Sequence, residues 1–233
     1  MLDMQPYRVI MKGISPVVIS GIAPSLDGIL YEALSQVLAT ESSVTILTRL
    51  REILLFNKES GVFHASSLTF AITPEHGVNA VSSIRCDCLR DEKLSSSMFN
   101  PRVRGGRFIP LMLKGGPTKR RLTSRPAYAS PYYAFDFVGV RESVLHLLTM
   151  TFVGIGYDVF SAANGEFADV HIIPLDADSS IAVQGAAMRP VPVQSKLQGL
   201  NGFSPLIPPY FGGERTMVTY PEPVRIRLLS DLV

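Results

Sequence analysis

The chain has 233 residues, 46% of them hydrophobic, enough to bury a core as one domain of generous size or two small ones sharing an interface. Its 22 Lys and Arg against 20 Asp and Glu leave a formal charge of only +2, so the asymmetry along the chain is more informative than the total, and one face is expected to be positive. No basic region followed by an apolar stretch opens the chain, and the most apolar segment, 144–160, is interrupted by His146, Gly154, Gly156 and Asp158, short of the roughly 20 clean residues a membrane span requires; the expectation is a soluble protein with no membrane partner.

Seventeen Pro and eighteen Gly, spread over the whole length, argue for many short connections and an α+β or β-rich fold with few long helices. Residues 7–12 alternate as a strand. Residues 26–39 follow as a helix, with Ser25 placed to cap it and Leu26, Ile29, Leu30, Ala33, Leu34, Val37 and Leu38 forming a core-facing stripe. A second helical pattern covers 44–56, with Ile46, Leu47, Leu50, Ile53 and Leu54 on one side. Residues 63–73 and 78–89 alternate around Pro74-Glu75-His76-Gly77, which reads as a β-hairpin. Cys86 and Cys88 sit two apart on that second strand, a spacing that suits neither a zinc knuckle nor a redox C-x-x-C and fits a reduced cytosolic compartment.

Between Lys93 and Asp136 stand nine basic residues and no acid: Lys93, Arg102, Arg104, Arg107, Lys114, Lys119, Arg120, Arg121 and Arg125. Glycines at 105, 106, 115 and 116 and the aromatics Phe108, Tyr128, Tyr132 and Tyr133 are interleaved with them. Arg and Lys neutralise phosphates, glycine lets backbone N–H groups approach them, and aromatic rings stack on unpaired bases. A charge run is more often a solvated loop or a tail. Against that reading, the run is internal and contains Phe108, Ile109, Leu111, Met112 and Leu113. Of Tyr132 and Tyr133, strand alternation sends one into the core.

Residues 132–138 read as a strand leading directly into a helix over 141–150, packed through Val144, Leu145, Leu148 and Thr149. Residues 167–175 form another strand. The remaining chain holds short β segments punctuated by Pro190, Pro192, Pro208, Pro209, Pro221 and Pro223. The order is that of a ferredoxin-like β-α-β-β-α-β core with an inserted basic segment and an additional C-terminal β region.

Four segments in this order resemble the RAMP superfamily of CRISPR proteins: S-L-D-G-I-L-Y-E-A-L at 25–34, G-G-P-T-K-R-R-L at 115–122, F-V-G-V-R-E at 137–142 and V-G-I-G-Y-D-V-F-S-A-A-N-G-E-F at 153–167. Within it the chain is most like the subunit that caps the 5′ handle of the guide RNA, in its type IV version. The resemblance implies a palm made of 1–92 and 132–176, a basic thumb inserted at 93–131, and a C-terminal β region at 177–233. It implies a non-catalytic, RNA-binding role in a prokaryotic cytoplasmic ribonucleoprotein with no cofactor. Its partners would be the crRNA 5′ handle, a CRISPR backbone subunit, a large or small effector subunit and nearby target DNA. RNA contacts would fall on Arg102, Arg104, Arg107, Lys114, Lys119, Arg120, Arg121, Arg125 and Tyr128, with Gly154, Gly156 and Gly165 in the glycine-rich loop. That loop departs from the family in lacking Lys or Arg between its glycines. It either packs its backbone closely on RNA or on a neighbouring subunit, or is a plain turn.

Related proteins include metal-independent ribonucleases, whose chemistry needs a general base and acid around a ribose 2′-OH. His64 and His171 fall in expected strands, His146 in a helix and His76 in a turn, and none has a partner constellation in the sequence. Asp176 and Asp178, in D-A-D-S-S, read as turn formers, and no metal-ligand set, phosphate loop or nucleophile elbow is present. Two alternatives stand beside an RNA-binding subunit: a crRNA-processing endoribonuclease, and an unrelated soluble enzyme or interaction domain using the basic segment for a protein partner.

Overall fold

The computed structural model describes residues 4–19, 21–88, 102–104, 107–109, 120–151, 153–156, 164–210 and 213–233. The first half runs β1 (Gln5–Gly13), β2 (Val17–Val18), α1 (Leu26–Val37), α2 (Ser43–Ile53), β3 (Phe56–Asn57), β4 (Val62–Phe63), β5 (Thr69–Ile72) and β6 (Asn79–Cys88). Then come β7 (Arg102–Arg104), β8 (Arg107–Ile109), β9 (Arg120–Ala129), β10 (Tyr132–Gly139), α3 (Arg141–Met150) and β11 (Phe167–Pro174). Short strands complete the chain: β12 (Ala182–Val183), β13 (Ala186–Ala187), β14 (Val191–Pro192), β15 (Leu200–Ser204), β16 (Thr216–Tyr220) and β17 (Ile226–Leu228). The fold is α+β. No helix of the described residues is long and apolar enough to cross a membrane.

Two compact units divide the chain, one of 1–81 and 126–233 and one of Ser82–Arg125. The first is built on a five-stranded sheet in the order β11-β1-β10-β5-β17. Its first four strands are antiparallel to their neighbours, and β17 joins β5 in parallel. The connection from β1 through α1 and α2 to β5 passes over β10, and that from β10 through α3 to β11 passes over β1. Each is the crossover that two parallel strands separated by a third require.

Period-two alternation explains how the sheet is covered. Val9 and Met11 of β1 and Tyr133, Phe135 and Phe137 of β10 enter the main core with Leu26, Leu30 and Ala33 of α1, Leu50 of α2 and Val144 and Leu148 of α3. Ile10 and Ala134, one position out of phase, enter a second cluster with Ala71 and Leu232, against which Leu229 packs. Helices therefore cover one face and the C-terminal turn the other. Each fully buried Leu or Phe contributes about 1.5–3 kcal/mol relative to exposure. Arg8 lies opposite Asp136 in the β1–β10 register and binds it at 2.6 and 3.0 Å, while its third nitrogen donates to the Leu232 carbonyl. Asp136, the acid that ends the basic run, is thus buried and ion-paired in the sheet.

Four local expectations change, one of them at Val37, placed on the core-facing stripe of α1 and instead 62% exposed. The hairpin over 63–73 and 78–89 does not form: β5 pairs with β10 and β17, β6 belongs to a separate sheet ordered β2-β9-β6, and only the Thr73–His76 turn survives. Ser25 precedes α1 but does not cap it, because its hydroxyl is 2.5 Å from Asp27 Oδ1 and 3.1 Å from the Tyr210 hydroxyl. On α3, Leu147 is buried and Thr149 is exposed, its hydroxyl bonded back to the Leu145 carbonyl.

Candidate nucleic-acid interface

The unit Ser82–Arg125 holds eleven Lys and Arg against three Asp and Glu, a formal +8. The other unit holds eleven against seventeen, a formal −6. The near-neutral total therefore hides two units of opposite formal charge. A polyanion is drawn to the small unit and repelled by the large one, over a range set by the Debye length of about 8 Å at physiological salt.

Inside the basic unit β7 and β8 form an antiparallel ribbon with Arg102 opposite Ile109, Val103 opposite Phe108 and Arg104 opposite Arg107. Gly105-Gly106 between two short runs is a hairpin signal that could have found this ribbon.

Arg120, Arg121 and Arg125 belong to β9, whose last residues lie in the larger unit. There Tyr128 pairs with Val17 and packs its half-buried ring 6.0 Å from that of Phe70. Tyr133 is the fully buried member of its pair, and Tyr132 is half-buried. Lys114 and Lys119 lie outside the described residues.

Close backbone approach accounts for the glycines of the later loop. A Cβ on Gly154 would stand 2.3 Å from the Asn164 carbonyl oxygen, and one on Gly165, at φ +72°, would stand 2.8 Å from Val17. Ile155 N–H donates to the Gly165 carbonyl and Gly156 N–H to that of Asn164. Residues 157–163 lie outside the description. Gly154 and Gly156 also wall a cleft of about 110 Å³ with Pro24, Gly28, Glu32 and Tyr210.

Beneath that cleft is a polar centre that the sequence did not announce. Arg189 is fully buried and donates to Asp27 Oδ2 and the Tyr210 hydroxyl at 3.1 Å, and to the carbonyls of Phe63, Ala65 and Leu206. Tyr210 in turn donates to Asp27 at 2.7 Å. Burial alone pulls the Arg189 guanidinium down, but Asp27 and Tyr210 outweigh it and hold it above its ordinary value. Burial, reinforced by Asp27, pushes the Tyr210 hydroxyl well up. Arg189 follows Met188 in a proline-broken stretch with no periodicity, so no pattern marked it.

His64 Nδ1 lies 2.6 Å from Asp178 Oδ2, and Asp178 Oδ1 accepts from the Ser180 N–H and hydroxyl. His146 and His76 are exposed, as is His171 on β11. Among the described residues no group of three or more His, Cys, Asp or Glu is arranged to hold a metal ion. No protein-family model matches the chain, and no curated protein matches it.

Proposed function

We propose that this protein is a non-catalytic guide-RNA-binding subunit of a CRISPR ribonucleoprotein, with a ferredoxin-like palm and a basic arm that grips the 5′ handle of the crRNA. The observation that carries the reading is the charge division: +8 in Ser82–Arg125 against −6 in the rest. A cationic ribbon whose two short strands carry Arg102, Arg104 and Arg107 suits a single-stranded phosphate backbone, which offers no rigid groove to read. The ferredoxin-like assignment draws support from the sheet order, in which the last strand of the β-α-β-β-α-β series neighbours the first and the third lies between first and second. On this reading the arm is an elaboration of the connection between β5 and β10. A backbone subunit, a large or small effector subunit and nearby target DNA are the remaining partners of the assembly, in a prokaryotic cytoplasm.

Co-purification from a host expressing the adjacent genes, followed by sequencing of bound RNA, tests this. The reading expects repeat-derived RNAs sharing a 5′ end. Clean protein with no nucleic acid, or RNA of random sequence, would sink it.

A second reading, a metal-independent crRNA-processing endoribonuclease, is favoured by one observation, the His64–Asp178 contact, since a carboxylate on Nδ1 fixes an imidazole for proton transfer at Nε2. Repeat RNA incubated with the purified protein distinguishes the two: cleavage abolished by His64→Ala in a folded variant selects the enzyme.

A further inference from the structure

The cleft over the buried Arg189 centre has a floor, walls and mouth of different chemistry. At the floor the side-chain donors are committed: Tyr210 donates to Asp27 and accepts from Arg189, and Ser25 is held between Asp27 and Tyr210. An acceptor pushed to that depth would find none of these donors free, and desolvating it would be unfavourable. The walls are Ile29, Val153, Ile155, Pro209 and the glycines of α1 and the 153–156 loop. Gly28 matters here because a Cβ would come within 3.0 Å of the Tyr210 ring, so its absence lets that ring stand against α1. At the mouth is the exposed carboxylate of Glu32, the sole charged side chain among the lining residues, in a unit of formal charge −6.

We propose that this cleft is a docking socket for a protein partner, receiving one apolar side chain flanked by a basic residue that pairs with Glu32. A volume of about 110 Å³ limits the cleft to one side chain rather than a chain segment, since even a cavity of about 150 Å³ holds only a molecule the size of benzene. Nucleic acid is disfavoured at both ends, because its phosphates meet a carboxylate at the mouth and its base-edge acceptors meet a floor whose side-chain donors are committed. The inference rests on reading the chain as one subunit of an assembly. It also gives the glycine loop, which has no Lys or Arg, a role that requires none.

The test is amide-resolved NMR titration of the full chain with benzamidinium, benzyl alcohol, benzoate and adenosine monophosphate. The socket predicts shifts confined to Gly28, Gly154, Ile155, Gly156 and their neighbours, with benzamidinium tightest, benzyl alcohol next and benzoate weakest. Glu32→Gln lowers benzamidinium affinity by about two- to fivefold, the range of an exposed ion pair, and leaves benzyl alcohol unchanged. Adenosine monophosphate binding more tightly than benzamidinium would turn the site into a nucleobase pocket and overturn the proposal. Absence of shifts with every probe would overturn it too, leaving a packing gap. None of these outcomes depends on whether the basic arm binds RNA, which co-purification decides separately.

Discussion

Arg189 and Asp27 meet at 3.1 Å with both side chains at zero exposure, although 162 positions separate them in the chain. Losing one member of a buried pair strands the other charge, which costs about 3–5 kcal/mol. Asp27→Ala is expected to lower unfolding free energy by that amount in urea. Asp27→Leu combined with Arg189→Met is expected to lose less than the sum of the two single variants, because each single already leaves a charge unpaired. Strict additivity would remove the pair from the account of stability.

Tyr133 donates its hydroxyl to the Ser15 carbonyl at 2.7 Å, and burial pushes its pKa from 10.0 up to about 12 against a smaller pull from the Ser130 backbone. A group raised on folding contributes stability that is complete below its unfolded value and is lost as pH rises toward the folded one. Between pH 10 and about 12 stability is therefore expected to fall, by roughly 2–3 kcal/mol for two pKa units. Tyr133→Phe is expected to be about 1 kcal/mol less stable at neutral pH and to have a shallower alkaline limb. Urea midpoints across that window measure both.

Asp178 moves the other way. Burial by itself would raise its carboxyl, but the bonds from His64 and Ser180 outweigh burial and hold it below the ordinary 3.8. Its contribution is present above that ordinary value and disappears as pH falls through the lowered one. Asp178→Asn is expected to flatten the acid limb of stability below about pH 4, read by circular dichroism. An unchanged limb would mean the His64 contact is not maintained in solution.

Arg225 and Arg227 flank one another but differ in kind. Arg225 donates to the Ser67 carbonyl and Thr69 hydroxyl, and burial draws its guanidinium down to about 10. Arg227 is exposed on the edge strand β17. Arg225→Glu is expected to destabilise by several kcal/mol, whereas Arg227→Glu stays within ±0.5 kcal/mol. Arg227 alone is a fair surface control for charge reversal.

The periodic parts of the fold were legible because their pattern is local. Leu26, Ile29, Leu30, Ala33 and Leu34 recur at helical spacing and are all buried, and β1, β10, α3 and β11 fall within a residue or two of the alternation that marked them. What failed depended on partners distant in sequence. Pro74 to Gly77 makes a turn whether the flanking strands pair or part company, and β5 and β6 part company. Ser25 has the residue type of a cap, but Tyr210, 185 positions away, and Asp27 take its hydroxyl. In the candidate site the basic run was visible as composition. The pairing of Arg104 with Arg107 and of Arg102 with Ile109 needed the strand register, which a three-residue run does not reveal.

The central claim is that the basic unit binds single-stranded RNA through its phosphates, and the salt dependence of that binding tests it most directly. Each phosphate contact on a single strand contributes about 0.7 to the slope of log affinity against log salt. Fluorescence anisotropy with the RNA recovered from the co-purified complex is expected to give a steep slope for the native chain. Reversing Lys119, Arg120 and Arg121 to Glu is expected to weaken binding strongly and to shallow the slope by about 2, while Arg227→Glu leaves both unchanged. Equal effects from the triple variant and from Arg227→Glu, or none from the triple, would contradict the account and reduce the acid-free run to a solvated surface.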